Sequence, residues 1–281
     1  MPDRYAVIGH PIAHSQSPRI HGLFAQAAGQ DMSYEAIDGG DQLGGFGRAL
    51  AAFRGAGGLG VNVTLPFKLE ALACADEADE AARLAGAANA LRFADGRIQA
   101  RNFDGAGLVR DIAVNLGLPL AGRRVLLLGA GGAARGALLP LARAGAARIV
   151  IANRTAAKAL ALAHELAAHL PASCALTGGG LGDLPRGEAF DLVLNATSAS
   201  LGHGDAPAVP SAAFAPGALA YDMVYGKGLT PFLRQAQGAG AGRLADGIGM
   251  LVEQAAEAFA WWRGMRPDTA PVIAQLAKPL I

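Results

Sequence analysis

The sequence predicts an α/β protein composed of two open α/β domains. Over the first hundred residues, short apolar strand patterns alternate with helical patterns, and a second such series begins at Val125. Residues 125–128 form an uncharged apolar run that ends in Gly129, and glycines recur at Gly131 and Gly132. A buried strand that turns through glycines into a helix is typical of a parallel α/β sheet.

The bulk composition agrees with a compact protein of this kind. The chain has 281 residues, 52% of them hydrophobic and 17% charged, which is enough for two domains with separate cores. A formal net charge of +1 gives no reason to expect binding to nucleic acid. The sequence has no uncharged stretch of 18 residues, so we expect no membrane partner. Cys74 and Cys174 have no CxxC partner, so we expect reduced, buried thiols and a cytoplasmic protein.

In the first domain, we expect a strand over residues 5–9, a loop, and a helix over residues 19–28. Ser17 and Pro18 suit the N-cap and first residue of that helix. The hydroxyls of Ser15 and Ser17, beside the free N–H groups of a helix start, could bind a carboxylate. The plainer interpretation makes Ser17 only an N-cap and Ser15 a loop residue.

Lys68 is the candidate acid–base residue of the first domain. It follows a predicted strand that presents Thr64 and stops at Pro66. A lysine can exchange protons when burial and a nearby carboxylate prepare it for that role, and Asp104 is the candidate partner. A lone lysine and a lone aspartate are otherwise ordinary surface residues.

A hairpin is expected around Asp95-Gly96, a type I′ turn pair.

In the second domain, the glycines would let a pyrophosphate approach the backbone N–H groups at a helix start. Such turns also serve plain packing, so the end of the next predicted strand, which covers residues 148–155, has to distinguish the two roles. An NAD site requires an acidic residue there, whereas this chain has Asn153, Arg154 and Thr155. Arginine binds phosphate in bidentate fashion, so we predict NADP as the cofactor. Otherwise Arg154 is a solvated arginine at a strand end.

Further strands are expected over residues 191–195 and 219–223, and helices over residues 231–237, 248–263 and 271–278. We expect Trp261 and Trp262 to pack the core face of the second of these helices. His10, His14 and His21 are close in sequence, but their spacing does not predict a metal site.

Several motifs in this order resemble the shikimate dehydrogenase family, and the resemblance runs from Tyr5 to Leu276. The motifs that carry it are Gly9-His10-Pro11-Ile12-Ala13-His14-Ser15-Gln16-Ser17-Pro18, Asn62-Val63-Thr64-Leu65-Pro66-Phe67-Lys68, Gly86-Ala87-Ala88-Asn89, Asn102-x-Asp104-Gly105, Gly129-Ala130-Gly131-Gly132-Ala133, Asn153-Arg154-Thr155, Asn195-Ala196-Thr197-Ser198, Tyr221-Asp222-Met223-x-Tyr225 and Asp246-Gly247-x-Gly249-Met250-Leu251-x-x-Gln254.

The resemblance implies reversible oxidation of shikimate to 3-dehydroshikimate with NADP, within aromatic amino-acid biosynthesis. It implies a substrate domain of residues 1–103 plus 247–281, a Rossmann-like NADP-binding domain of residues 104–246, and substrate and cofactor in the cleft between them. We expect a monomer or a homodimer.

The same resemblance assigns individual residues. The substrate carboxylate would be held by Ser15, Ser17 and Tyr225, and the ring hydroxyls by Thr64, Asn89, Asp104 and Gln254. Lys68 would transfer the proton, paired with Asp104. The cofactor would contact Glu80 on the nicotinamide side and otherwise Gly129, Ala130, Gly131, Gly132, Ala133, Asn153, Arg154, Thr155, Met223 and Gly247.

One departure from the family pattern concerns Phe103. The family usually reads Asn-Thr-Asp-Gly where this chain has Asn102-Phe103-Asp104-Gly105, and Arg101 stands where an acid is common. Phe103 either packs beneath the loop, which we favour, or reshapes the pocket.

Two alternative functions stay open. One is a relative acting on quinate or an amino-substituted analogue, and the other is a non-catalytic ligand sensor on the same fold.

Overall fold

The computed structural model describes residues 2–184, 187–197 and 206–280, and the chain divides into two compact α/β units. The first unit comprises Met1–Gly107 and Val252–Val272, and the second comprises Leu108–Leu251 and Ile273–Ile281. The predicted fold class, two α/β domains of which the second is Rossmann-like, is confirmed.

The first unit contains a six-stranded mixed sheet in the order β2-β1-β3-β5-β6-β4. Its strands are β1 (Asp3–Gly9), β2 (Met32–Asp38), β3 (Gly58–Val63), β4 (Glu77–Ala78), β5 (Ala90–Ala94) and β6 (Arg97–Arg101). Its first helices are α1 (Ser17–Ala27), α2 (Gly45–Gly55), α3 (Lys68–Ala73) and α4 (Glu80–Ala85). Strands β1, β2 and β3 are parallel, while β5 and β6 form an antiparallel hairpin.

The hairpin turn has the backbone that its sequence predicts. Asp95 and Gly96 both have positive φ angles, +53° and +76°, as a type I′ turn requires. The core of this unit lies on the sheet, where apolar side chains of α2 such as Phe46 and Phe53 pack against strand residues such as Ile8 and Val61.

The second unit contains a six-stranded, wholly parallel sheet in the order β12-β11-β10-β7-β8-β9. Its strands are β7 (Arg124–Leu128), β8 (Arg148–Asn153), β9 (Ala175–Gly180), β10 (Phe190–Asn195), β11 (Phe214–Asp222) and β12 (Arg243–Asp246). This is the 3-2-1-4-5-6 order of dinucleotide-binding domains, in which the ligand crosses the sheet where the order reverses, between β7 and β10.

Helices connect these strands and lead between segments of the chain. They are α5 (Asp104–Arg110), which continues into one π-helical turn (Asp111–Asn115), α6 (Gly132–Arg143), α7 (Ala156–Ala167), α8 (Pro231–Gly238), α9 (Ile248–Arg263) and α10 (Ala270–Leu276). Strands β9 and β12 were not predicted. The sequence Ala-Leu-Thr-Gly-Gly-Gly of β9 has low strand propensity, and β12 has only four residues.

The structure corrects two local predictions. Ser17 is not the N-cap of α1, because the helix already includes Ser17 and the capping position is Gln16. Cys74 is exposed rather than buried, whereas Cys174 is buried as expected, and both thiols are free.

The C-terminal tail is grouped with the second unit, although residues 247–281 were expected in the substrate domain. Lys278 Nζ donates to the carbonyl oxygen of Gly226 at 2.7 Å, and Leu280 packs against the second core. The functional domain boundaries stay a prediction. Within the described ranges, no helix is both long and apolar enough to cross a membrane.

Candidate active site

Lys68 and Asp104 form an ion pair in the first unit. Lys68 is the first residue of α3, Asp104 is the first residue of α5, and Lys68 Nζ lies 2.5 Å from Asp104 Oδ2. Each side chain is 26% exposed, so the pair is partly shielded and still reachable from solvent. A lysine held by one carboxylate oxygen at a partly open position can exchange a proton with a bound hydroxyl.

Two asparagines hold the carboxylate of this pair in place. Asn89 Nδ2 donates to Asp104 Oδ1 at 2.8 Å and to Gln254 Oε1 at 3.1 Å. Asn102 Oδ1 accepts the backbone N–H of Asp104 at 3.0 Å, while its amide donates to Ala87 O. Asp104 is therefore fixed both by its side chain and by its backbone, which orients Lys68. The sequence reasoning assigned no role to Asn102, although Asn two positions before Asp104 is a recognisable Asx-turn signal.

Ser15 and Ser17 lie together where β1 leads into α1. The backbone N–H of Ser17 donates to Ser15 Oγ at 3.3 Å, so Ser15 is the serine that accepts an N–H group at this helix start. Ser17 is buried, and Ser15 is half-buried. Thr64 follows β3, is also half-buried, and donates its backbone N–H to Ile8 O at 3.0 Å.

A buried polar layer lies next to Asn89 in the first unit. Tyr34 Oη donates to Asn62 Oδ1 at 2.7 Å, and Asn62 Nδ2 donates to Asn89 O at 3.2 Å. The His21 ring stacks on Tyr34 with centroids 4.2 Å apart. Burial raises the pKa of Tyr34 and lowers the pKa of His21 to about 3, so both rings are neutral at neutral pH. The position of Tyr34 in this layer was not evident from the sequence, because the alternation of β2 also suits an exposed strand face.

Phe103 packs away from solvent. Its side chain is 8% exposed and belongs to a small cluster with Ala90 and Ala258. Its ring meets Trp261 edge-to-face, with centroids 5.8 Å apart and planes at 69°. The Arg101 guanidinium lies 4.7 Å from the centroid of the same Trp261 ring. Both departures from the family pattern therefore contact one tryptophan of α9.

The glycine turn after β7 fits the pyrophosphate of a dinucleotide. Gly129 has a φ of +105°, and a Cβ there would lie 3.1 Å from Thr197 Cγ2, so a larger residue is disfavoured. Gly131 is the N-cap of α6 without a side-chain cap. Among the described residues, a Cβ built at Gly131 or Gly132 would meet no heavy atom within 4 Å, so there is room for an anion beside this helix start. Ala130 and Ala133 flank these glycines, and Ser198 of the neighbouring motif lies outside the described residues.

Arg154 and Thr155 are exposed directly after β8, the strand adjacent to β7 in the sheet. Asn153 Nδ2 donates to Thr155 O at 3.0 Å and fixes the shape of this strand end. An exposed guanidinium one strand away from the glycine turn suits the 2′-phosphate of NADP. Glu80 is the exposed first residue of α4, in the first unit.

Met223, Tyr225 and Gly247 come together at the ends of β11 and β12. The Met223 N–H donates to Asn195 O at 3.0 Å, and Tyr225 is 39% exposed. A Cβ on Gly247 would lie 2.3 Å from Met223 O, so only glycine fits against that carbonyl group. Among the described residues, no group of three or more His, Cys, Asp and Glu side chains could hold a metal ion.

Fold and site together define a dinucleotide-binding α/β protein with a lysine–aspartate pair. The protein named Shikimate dehydrogenase (NADP(+)) from Nitrosospira multiformis is 56% identical over 280 residues, which cover 100% of this chain and 99% of that protein. The chain belongs to the shikimate dehydrogenase family.

Family models agree over three segments. The shikimate dehydrogenase substrate binding domain matches residues 7–91, the shikimate / quinate 5-dehydrogenase model matches residues 111–201, and the shikimate 5'-dehydrogenase C-terminal domain matches residues 247–277.

Two crystal structures are similar over nearly the whole chain. An Ael1 enzyme from Pseudomonas putida is 58% identical with a TM-score of 0.91, covering 99% of this chain and 100% of that one. Shikimate 5-dehydrogenase from Thermus thermophilus, in complex with NADP(H) and shikimate, is 35% identical with a TM-score of 0.81, covering 97% of each chain.

Proposed function

We propose that this chain is an NADP-dependent oxidoreductase that interconverts shikimate and 3-dehydroshikimate. The observation that carries the proposal is the Lys68–Asp104 ion pair, in a chain 56% identical to a protein named Shikimate dehydrogenase (NADP(+)). The reaction belongs to aromatic amino-acid biosynthesis, as the family resemblance implies.

The reaction oxidises one secondary alcohol of the substrate ring to a ketone. A bound NADP⁺ would supply the acceptor for the hydride that leaves the carbon atom. The neutral amine of Lys68 accepts the hydroxyl proton, so the C–H and O–H bonds break and a C=O bond forms. In the reverse direction, the ammonium group donates this proton to the carbonyl oxygen. Asp104, held by Asn89, keeps the Lys68 nitrogen in place, and catalysis is mainly positioning with acid–base help.

The remaining substrate residues are proposed from the family resemblance. Ser15, Ser17 and Tyr225 bind the carboxylate, in keeping with their hydroxyl groups. Thr64, Asn89, Asp104 and Gln254 bind the ring hydroxyls. The hydrogen bond between Asn89 and Gln254 supports this assignment, because it brings two ring-binding candidates into contact.

The cofactor residues are proposed on the same basis. The open helix start at Gly131 and Gly132 suits the pyrophosphate, and Arg154 suits the 2′-phosphate. The other residues assigned to the cofactor are Glu80, Gly129, Ala130, Ala133, Asn153, Thr155, Met223 and Gly247. We propose residues 1–103 with 247–281 as the substrate domain and residues 104–246 as the NADP domain. A cytoplasmic location and a monomeric or homodimeric state are also proposals, the latter testable by size-exclusion chromatography with light scattering.

The test is a rate comparison of shikimate and quinate with NADP and NAD as alternative cofactors. We expect NADPH formation with shikimate and a much weaker rate with NAD, because NAD lacks the phosphate that Arg154 would bind. The names of the relatives do not favour a quinate or amino-analogue enzyme, and a sensor has no need of the Lys68–Asp104 pair. Absence of NADPH formation at millimolar shikimate would contradict the enzymatic function.

A further inference from the structure

Asp246, at the end of β12, is a buried carboxylate that accepts backbone hydrogen bonds from two separate segments. Its Oδ2 accepts from the Gly226 N–H at 3.1 Å, and its Oδ1 accepts from the Ile248 N–H at 3.2 Å. The side chain belongs to a residue that is only 8% exposed. One carboxylate therefore ties the segment after β11 to the first residue of α9.

The next residue strengthens the same connection. The Gly247 N–H donates to Val224 O at 3.3 Å, and its Cα packs so closely on Met223 O that no side chain fits there. Residues 223–226 are thus bound along residues 246–248. Tyr225 lies inside this bound segment, with its side chain exposed.

We propose that Asp246 is a positioning residue for Tyr225. By accepting the Gly226 N–H, it fixes the peptide that carries the Tyr225 phenol, and so determines where the hydroxyl meets the substrate carboxylate. The inference rests on the proposed function, in which Tyr225 binds that carboxylate. Asp246 acts through the backbone and does not itself touch substrate or cofactor.

The substitution Asp246→Asn isolates this contact. Both carboxylate oxygens accept N–H groups, so an amide of the same shape must turn its NH₂ group toward one of two donors. The bond to Ile248 is local and caps a helix start, which favours the amide oxygen on that side. The Gly226 bond is then lost, which removes one of the contacts that hold the Tyr225 peptide in place.

Asp222 provides a matched control, since it pairs with Asp246 across β11 and β12 and is fully buried. Its Oδ1 accepts from Asn195 Nδ2 and the Val224 N–H, and its Oδ2 accepts from Thr230 Oγ1 at 2.6 Å. A hydroxyl group can also accept a hydrogen bond, so Asp222→Asn can keep each of these hydrogen bonds. The same chemical change on the neighbouring strand is therefore expected to leave the kinetics unchanged.

The experiment compares shikimate with its methyl ester, which lacks the anionic carboxylate. For Asp246→Asn, we expect the KM for shikimate to rise about tenfold. A change of that size corresponds to the loss of one hydrogen bond to a charged group. The kinetics with the ester should stay within about twofold of the wild type, and in a Tyr225→Phe background the Asp246 substitution should add no further loss. If Asp246 had only a structural role, the substitution would change the kinetics with shikimate and with the ester by the same factor.

Asp246→Ser is the second variant, because a serine hydroxyl can cap α9 at Ile248 but is too short to reach Gly226. It should show the same selective loss of preference for shikimate. An unchanged preference in either folded variant would overturn the inference, and so would failure of both to fold, which would assign Asp246 to the fold itself. Wild-type protein inactive with shikimate would instead refute the proposed function.

Discussion

Replacement of Phe103 by threonine, the residue that the family usually has there, separates a packing role from a role in the pocket. Truncating a buried phenylalanine to a small residue costs about 3–5 kcal/mol, and an edge-to-face aromatic pair adds about 0.5–1.5 kcal/mol to such a contact. Threonine keeps two atoms beyond Cβ, so we expect the free energy of unfolding to fall by about 3 kcal/mol. Phe103→Leu keeps the bulk but loses the ring contact with Trp261, and should cost about 1 kcal/mol.

Activity should respond differently from stability. Phe103 is linked to the Lys68–Asp104 pair through its backbone, whose N–H donates to Asn89 Oδ1 at 2.9 Å, and a side-chain substitution preserves this bond. We therefore expect kcat/KM for shikimate in Phe103→Thr to stay within about threefold of the wild type. The stability change is read from urea unfolding, and the kinetics from NADPH formation well below the unfolding midpoint.

The opposite pattern would refute this reasoning. If Phe103→Thr kept the wild-type stability while kcat/KM or the choice between shikimate and quinate changed more than about tenfold, the ring would be acting on the pocket. Phe103→Leu is the matched control, because it keeps an apolar side chain of similar volume at the same position.

Three further predictions concern the pair, the cofactor and the buried layer. Lys68→Ala should lower kcat by about 10²–10⁴-fold with a modest change in KM. Lys68→Arg should not restore the rate, because a guanidinium does not give up its proton. An unchanged kcat would show that Lys68 does not transfer the proton. Arg154→Ala should weaken NADP binding by about 1.5–3 kcal/mol in titrations and leave NAD nearly unaffected, whereas equal weakening of both would contradict the phosphate assignment. Burial lowers the pKa of His21 from 6.5 to about 3, so the unfolded chain takes up the proton first as the pH falls. The stabilisation that comes from keeping His21 neutral is complete above pH 6.5, and the free energy of unfolding should fall by about 2 kcal/mol between pH 7 and pH 5. His21→Phe should flatten this pH dependence. Parallel plots of unfolding free energy against pH for the two proteins would contradict the prediction.

The architecture was predictable because its signals are local. The uncharged strand before Gly129, the strand that precedes Arg154 and the Asp95-Gly96 turn each depend on a few neighbouring residues, and each has the type of backbone that its sequence indicates. Strand β9 was not predicted because its last three residues are glycines and its place in the sheet depends on pairing with β8. Ser17 was misplaced because a serine before proline resembles an N-cap whether the helix starts at that residue or just before it.

The candidate site was predictable only for residues whose chemistry is recognisable by itself. Lys68 and Asp104 stand 36 positions apart, and their pairing was suggested by complementary charge and by resemblance to a family. Asn62, Tyr34 and Asp246 gave no comparable signal, because a hydrogen bond between distant segments leaves no periodicity in the chain. Which polar residues become buried depends on the packed structure, and that information is absent from any short stretch of sequence.

Both tryptophans of the chain lie side by side on α9, in the part of that helix that belongs to the first unit. Trp262 stacks on Tyr5 with ring centroids 4.8 Å apart, while Trp261 is in contact with Phe103 and Arg101. Intrinsic tryptophan emission is therefore a local optical reporter of the first unit, because both tryptophans of the chain belong to that unit. Circular dichroism records the helices of both units, so comparing the two signals shows whether the first unit melts together with the whole chain, without any added label.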